Sequence, residues 1–358
     1  MKTNTIKSDV KKLLHEGTVI PAHPLALDAN RKLDEKRQRG LTQYYMACGT
    51  GGVAVGVHTT QFEIRDPAIN LYGQVLELAA DEVRVARLGR TFIKVAGIVG
   101  PTKQALAEAE TAVKFGYDLG LLSMGGLKDW TEDQILDRVR AVADVIPVFG
   151  FYLQPSVGGR IFTYDFWLKF AQIPNVQAIK VAAFNRYQTL DVVRAVCNSG
   201  RHDEIALYTG NDDNIVADLL TRYRIEAGGK IIEKEFVGGL LGHWAVWTRK
   251  AVELLEEIKR CKSNGMAGLS DLLTKGIEVT DMNAAIFDPA HSFHGCIPGI
   301  HEVLRRQGLL DGRWCLNPQE ELSAGQMEEI DRVCQSYPHL TDDEFIRELL
   351  EQNVVRVG

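Results

Sequence analysis

Two lysines in this sequence sit in nearly identical surroundings. Lys180 lies in AIKVAAF and Lys94 in FIKVAGI, each inside an apolar, β-branched run. An ammonium group in such a strand must reach water, pair with an acid or lose its proton. A deprotonated amine can attack a ketone and form an imine. Pairing, for Lys180 with a carboxylate such as Asp212, would instead leave a structural ion pair. Tyr152, in FYLQP, offers a phenol that could pass protons while an imine forms, or line a wall with its hydroxyl bonded. Thr59 and Thr60, in HTTQFE, offer hydroxyls that could cradle a carboxylate, or are ordinary β-branched strand residues.

These residues need elements to position them. From about residue 17 to residue 260 short apolar runs alternate with longer segments of helical spacing. The runs are 17–27, 52–60, 91–100, 118–126, 147–156, 176–184, 204–212 and 238–247. Eight strand-plus-helix units predict a (β/α)8 TIM barrel, whose parallel strands are covered on both faces and therefore apolar throughout. A doubly wound open sheet is the competing architecture. Neither a GxGxxG after the first strand nor a GxxxxGK[ST] occurs, so the nucleotide-binding forms of that fold find no support. Residues 1–16 predict a helical extension, 17–260 the barrel, and 261–358 a helical region packed on it.

In such a barrel reacting groups gather where strands end. That rule selects His58, Thr59 and Thr60 after the second strand, Tyr152 and Gln154 after the fifth, and Lys180 in the sixth. It also selects Gly210, Asp212 and Asp213 after the seventh, and His243 with Trp244 in the eighth. Lys94 lies early in its strand, which directs it toward the amino end, where position serves stability.

Composition narrows the function. The 358 residues are 45% hydrophobic and 25% charged with a net charge of −6, which excludes a dominantly disordered chain and a general phosphate-backbone binder. No apolar run reaches membrane-spanning length, and the first residues lack the apolar core of a secretion signal. Six cysteines without a CxxC pair predict free thiols and a cytoplasmic location. The sequence HSFHGCIPGIH, with His291, His294, Cys296 and His301, is the best metal-like cluster. It lacks a second paired ligand element and lies in the helical region, so packing and capping are expected there, with no metal.

In this order the pieces resemble the dihydrodipicolinate synthase / N-acetylneuraminate lyase family of Schiff-base barrel enzymes. HTTQFE (58–63) is similar to that family's G-T-T-G-E loop at Thr59, Thr60 and Glu63. YLQP (152–155) resembles its Y-N-x-P element, AIKV (178–181) the strand of its Schiff-base lysine, and GNDD (210–213) its G-x-D-[DE] segment. GIHEVLRRQGLLDGRW (299–314) resembles its closing helical pattern. The resemblance implies that Lys180 forms an imine with a 2-keto acid and Tyr152 carries protons, linked to Thr60 by a hydrogen bond. It implies that Thr59 and Thr60 hold the substrate carboxylate, and that Gly210, Asp212 and Asp213 meet the hydroxyls of a polyol tail. His58, Gln154 and His243 would complete the substrate contacts. No cofactor beyond the covalent imine on Lys180 is expected, and a homo-oligomer, dimer or tetramer, is implied.

The departures narrow the substrate. Val157 stands where the synthase branch has a carboxylate-binding arginine, and Met124, Gly125 and Gly126 replace its tyrosine pair. Ala182 stands where the sialic acid lyases have a threonine, and His58 replaces the first loop glycine. The reading is therefore a carbon–carbon or carbon–oxygen lyase of the class I aldolase type, not a true dihydrodipicolinate synthase. Its substrate would be a 2-keto acid of the keto-deoxy sugar acid kind, with neither nucleic acid nor membrane as partner. Two alternatives stand beside it. One is a metal-dependent barrel hydrolase or isomerase using His243, Asp212, Asp213 and His58; the other is a non-catalytic barrel that binds a sugar acid.

Overall fold

The structure, a computed structural model, describes residues 5–357. Its strands are β1 (Val19–Pro21), β2 (Gly52–Val55), β3 (Ile93–Ile98), β4 (Leu119–Ser123), β5 (Val148–Leu153), β6 (Val176–Ala182), β7 (Ala206–Thr209), β8 (Arg222–Ala227) and β9 (Lys230–Leu241). The helices up to the end of the strand-bearing region are α1 (Ser8–Glu16), α2 (Glu35–Ala47), α3 (Tyr72–Ala86), α4 (Thr102–Lys114), α5 (Glu132–Ala143), α6 (Tyr164–Ala171), α7 (Arg186–Asn198) and α8 (Ile215–Leu220). Five more follow: α9 (Thr248–Ser263), α10 (Leu269–Phe287), α11 (Cys296–Arg306), α12 (Gln326–Ser336) and α13 (Asp343–Glu351). The fold is the (β/α)8 barrel with C-terminal helices that the alternation predicts. The helical extension expected at 1–16 is α1; residues 1–4 lie outside the described residues.

The chain divides into two compact units, each made of separated stretches. One joins the stretch ending at Thr18 to Ile93–Leu240; the other joins Val19–Phe92 to the stretch from Leu241 onward. In the first, β3, β4, β5, β6, β7 and β9 lie side by side and parallel. Every residue of β4, β5, β6 and β7 is buried, as a sheet covered on both faces requires. Gly150 of β5 admits the ring of Phe170 from α6: a Cβ there would lie 2.6 Å from it. The helices start where side chains cap them. Thr131 and Gln134 exchange hydrogen bonds at α5, Thr163 caps α6, and Asn185 accepts from two amides at α7.

Two features of this unit depart from the expected pattern. The run at 238–247 is only the end of β9, which begins at Lys230 and pairs antiparallel with β8. Gly228 and Gly229, at φ 58° and 79°, supply the left-handed turn between them. Glu235 and Glu233 pair across this exposed ribbon with Arg222 and Arg224 at 2.9 and 3.0 Å. The second departure is a register shift between β5 and β6: Val148 faces Val176, but Phe149 faces Ala178, so Gln177 is an extra residue.

The second unit holds β1 and β2, joined by a parallel bridge at Ala22 and Ala54, with α2, α3 and α9 to α13. The stretches LSDLLTKG and DMNAAIF lie in one continuous helix, α10. The HSFHGCIPGIH segment is held by Asp288, which precedes it. Asp288 accepts from His291 at 2.6 Å and from the Gly295 amide at 3.1 Å. His301 is buried on α11, and burial pushes its pKa down to about 4. Among the described residues no three His, Cys, Asp or Glu side chains are arranged to hold a metal ion.

Candidate active site

Lys180 belongs to the face of β6 that shares its side with Phe151 of β5 and Tyr208 of β7, its register partners. Its residue is 8% exposed, and its Nζ lies 4.3 Å from the centre of the Phe151 ring. Space for its stem comes from Gly210, at the end of β7. A Cβ at Gly210 would lie 2.5 Å from the Lys180 Cε and 2.9 Å from the Ala182 Cβ. Burial drives the Lys180 pKa down to about 8, against the opposing charge of Asp212. Burial thus disfavours the charged amine, and the charge of Asp212 favours it.

The β7–α8 loop that carries Gly210, Asp212 and Asp213 is fastened from below by a residue the sequence reading missed. Asp218, 1% exposed, accepts from Thr209 at 2.7 Å, from Asn211 at 2.9 Å and from Asn214 at 3.1 Å, and it pairs with Arg186. Asn211 in turn accepts from the Phe184 amide at 2.9 Å, holding the β6–α7 turn where Phe184 has φ 49°. A bulky residue in the left-handed region is strained, and such strain persists only where the surroundings impose it. The Asx-type pattern of N-D-D-N before an apolar helix was the available signal. Asp212 is half-buried and Asp213 exposed.

Tyr152 is placed elsewhere. Its register partner is Val181, so its side chain leaves the sheet on the face opposite to Lys180. Its ring packs 4.9 Å from Trp167 of α6 and 6.3 Å from Phe162. Burial raises the phenol to about 12, moderated by the Phe162 backbone. The expectation that Tyr152 passes protons to the amine is therefore corrected: past the extra residue Gln177 of β6, Lys180 stands opposite Phe151, and Tyr152 faces the helix layer. Gln154 ends the same strand, its amide donating to the Ala182 carbonyl at 3.0 Å.

In the second unit the loop after β2 is a short 3-10 turn, His58–Thr60. Thr60 donates to the His23 carbonyl at 2.7 Å and accepts from the amides of Gly56 and Val57. Thr59 donates to the same carbonyl at 3.2 Å. Both hydroxyl protons thus go to the backbone after β1, and Thr60 gives its proton to the His23 carbonyl rather than to a phenol. His58 is half-buried, its ring 5.9 Å from that of Phe62. His243 is 5% exposed and bonds with Asn283 of α10; burial lowers its pKa to about 4. That bond ties it to the C-terminal helices. Lys94 stands apart from all of these: its Nζ points back to the Phe115 carbonyl at 3.5 Å, beside Asp118 at the amino end of β4.

No family model matches the chain. It is 27% identical over 206 residues to the N-acetylneuraminate lyase of Citrobacter koseri, a match covering 56% of this chain and 65% of that one. It is 32% identical over 116 residues to the 4-hydroxy-tetrahydrodipicolinate synthase of Clostridium novyi, covering 32% and 38%. The chain thus spans less than two thirds of the length of either curated relative. Among solved structures, the N-acetylneuraminate lyase of Fusobacterium nucleatum superposes with a TM-score of 0.69 at 15% identity, over 90% of this chain and 99% of that one. The dihydrodipicolinate synthase of Oceanobacillus iheyensis gives 0.69 at 18%, over 89% and 96%. The lysine strand and the barrel order agree with these likenesses to the dihydrodipicolinate synthase and N-acetylneuraminate lyase superfamily, and the solved structures share the fold.

Proposed function

We propose that this protein is a Schiff-base-forming lyase of the class I aldolase type, acting on a 2-keto acid through Lys180. The observation that carries the reading is a buried amine with a pKa lowered to about 8 at the carboxyl end of a barrel strand. At pH 7 about a tenth of such an amine is neutral, against far less than a thousandth for an ordinary lysine. The neutral nitrogen adds to the keto carbon, and loss of water leaves an iminium ion. The iminium accepts the electron pair released when the C3–C4 bond, one removed from the iminium carbon, breaks, or when a proton leaves C3 before the hydroxyl on C4 is expelled. Hydrolysis then frees the product and returns the amine. This reading gives Asp212, whose charge acts on Lys180, the proton-carrying role expected of Tyr152.

Asp213 and Gly210, on the loop that Asp218 fastens, support a hydroxylated tail and hence a keto-deoxy sugar acid. The named activities of the curated relatives support a lyase. A homo-oligomer, dimer or tetramer, is part of the proposal. The test is a panel of 3-deoxy-2-keto sugar acids assayed for pyruvate release and for water loss. Wild-type protein is expected to turn over at least one of them and Lys180→Met none. The placement of Tyr152 favours one second reading, a barrel that binds a sugar acid without converting it. That reading predicts ligand-induced thermal stabilisation that survives Lys180→Met, with no turnover by either protein.

A further inference from the structure

Strand β8 pairs with β9 alone, and among the described residues its other edge carries no strand. The direction of its backbone groups follows from the turn. Gly228 and Gly229, both at positive φ, close on Ala227 and Lys230, and in a two-residue turn of this kind the closing pair is hydrogen-bonded. Bonded and non-bonded pairs then alternate along the antiparallel ladder. Ile225 with Ile232 and Tyr223 with Lys234 are thus bonded pairs, while Arg222, Arg224 and Glu226 turn their N–H and C=O groups away from β9. No other backbone segment among the described residues bonds to those groups.

The same three residues carry the exposed side chains of the strand. Arg224, its side chain 69% exposed, holds Glu233 at 3.0 Å on the β9 side. Glu226 accepts from the Gly229 amide at 3.3 Å and forms no ion pair among the described residues. An open edge is a template for a further strand, and the charges along it decide which strand fits.

Arg-Ile-Glu is its own complement. When two copies of β8 run antiparallel about Ile225, Arg224 of each faces Glu226 of the other. Those are residues with outward backbone groups, so each facing pair also exchanges its N–H···O=C bonds. Ile225 meets its own copy at the axis in a non-bonded pair, where side chains lie closest. Sliding the register by two residues sets Arg224 against Arg224 in one direction and Glu226 against Glu226 in the other. A slip by one residue places outward backbone groups against inward ones. One register therefore satisfies both backbone and charge.

We infer that the open edge of β8 is the surface on which a second copy of this chain pairs, antiparallel and centred on Ile225. The pairing gives the homo-oligomer proposed above one surface and does not depend on the Lys180 chemistry.

Sedimentation velocity of the full chain from about 1 µM to 1 mM tests it, since an edge of 6 residues supports a weak, concentration-dependent association. Wild type is expected to associate in pairs. Glu226→Arg and Arg224→Glu are each expected to raise the dissociation constant about tenfold or more, because both facing pairs become like-charged. An equal mixture of the two variants is expected to regain association, since each facing pair of the mixed dimer joins opposite charges. Damage to the ribbon would weaken the mixture as much as its parts, so the regain isolates charge at this edge. A wild type that stays a single copy at every concentration would overturn the inference and leave the charges as guards of an unpaired edge. Association unchanged in both variants, or a mixture no better than its parts, would overturn it too, and any homo-oligomer would then rest on another surface.

Discussion

Lys180 and Lys94 occupy the same kind of strand and gather the same kinds of neighbour, yet they end in different states. Each has an aromatic ring beside its Nζ, Phe151 at 4.3 Å and Tyr117 at 5.8 Å. Each has an aspartate opposing the effect of burial, Asp212 and Asp118. Each passes a glycine, Gly210 and Gly116. The difference lies in how the two ends of the strands use those neighbours. Asp118 is already occupied, accepting from Lys7 at 3.2 Å and from the Lys94 amide at 3.0 Å, and Lys94 donates its own proton to a carbonyl. That arrangement fastens an amino end. Around Lys180 the glycine clears a path for the stem, and burial dominates. Texture makes a buried lysine; the end of the strand decides whether it can react.

The contrast can be broken most decisively by removing each amine. Lys180→Met is expected to lower turnover roughly a thousandfold or more, since the covalent path is lost. Lys94→Met is expected to leave turnover within about threefold and to register as a small loss of thermal stability. Steady-state kinetics and thermal melts on both variants check this.

The glycines give the next largest effect. Gly210→Ala forces the Lys180 stem aside, and a displacement of about 1 Å is expected to cost roughly 10–100-fold in turnover. Gly116, at φ 72°, lies beside the other lysine with a Cβ position 3.5 Å from its Nζ. Gly116→Ala is expected to spare turnover and destabilise by about 1 kcal/mol, read by denaturant melts.

How far the site was legible follows from the same strands. The alternation of textures marked the parallel strands, because a doubly covered sheet must be apolar throughout. It did not mark β8, whose alternating RYRIEA and KIIEKEF flank Gly228-Gly229 and read as an exposed hairpin. The position of Tyr152 along β5 was legible; its face was not. Carried forward without the shift, the Val148–Val176 pairing would have set Tyr152 opposite Lys180. The extra Gln177 moves Lys180 opposite Phe151 instead, and a one-residue slip reverses every side chain. Asp218 acts through bonds to an irregular segment, which periodicity does not report.

Acidity sharpens the comparison further. Imine formation by wild type is expected to rise about tenfold per pH unit below pH 8 and to level above it, following the neutral fraction of Lys180. The charge of Asp212 raises that pKa, so Asp212→Asn is expected to move the inflection below 8. Stopped-flow imine formation across pH 6–10 reads both. The sign for folding is separate. Lys180 titrates lower in the folded chain than in the unfolded one, so its contribution to stability grows as pH rises from about 8 toward the unfolded lysine value.

The smallest effect expected is the most informative about β5. Tyr152→Phe removes a hydroxyl that faces α6, so turnover should change less than about threefold. A loss of a hundredfold or more would place the phenol at the amine during reaction and would require the β5 register to slip.

The most direct measurement is borohydride reduction of the protein with pyruvate, followed by mass mapping of its peptides. A reduced pyruvyl adduct on the peptide carrying Lys180, and absent from Lys180→Met, is the predicted result. An adduct on Lys94, or none with any 2-keto acid that the protein binds, would contradict the account.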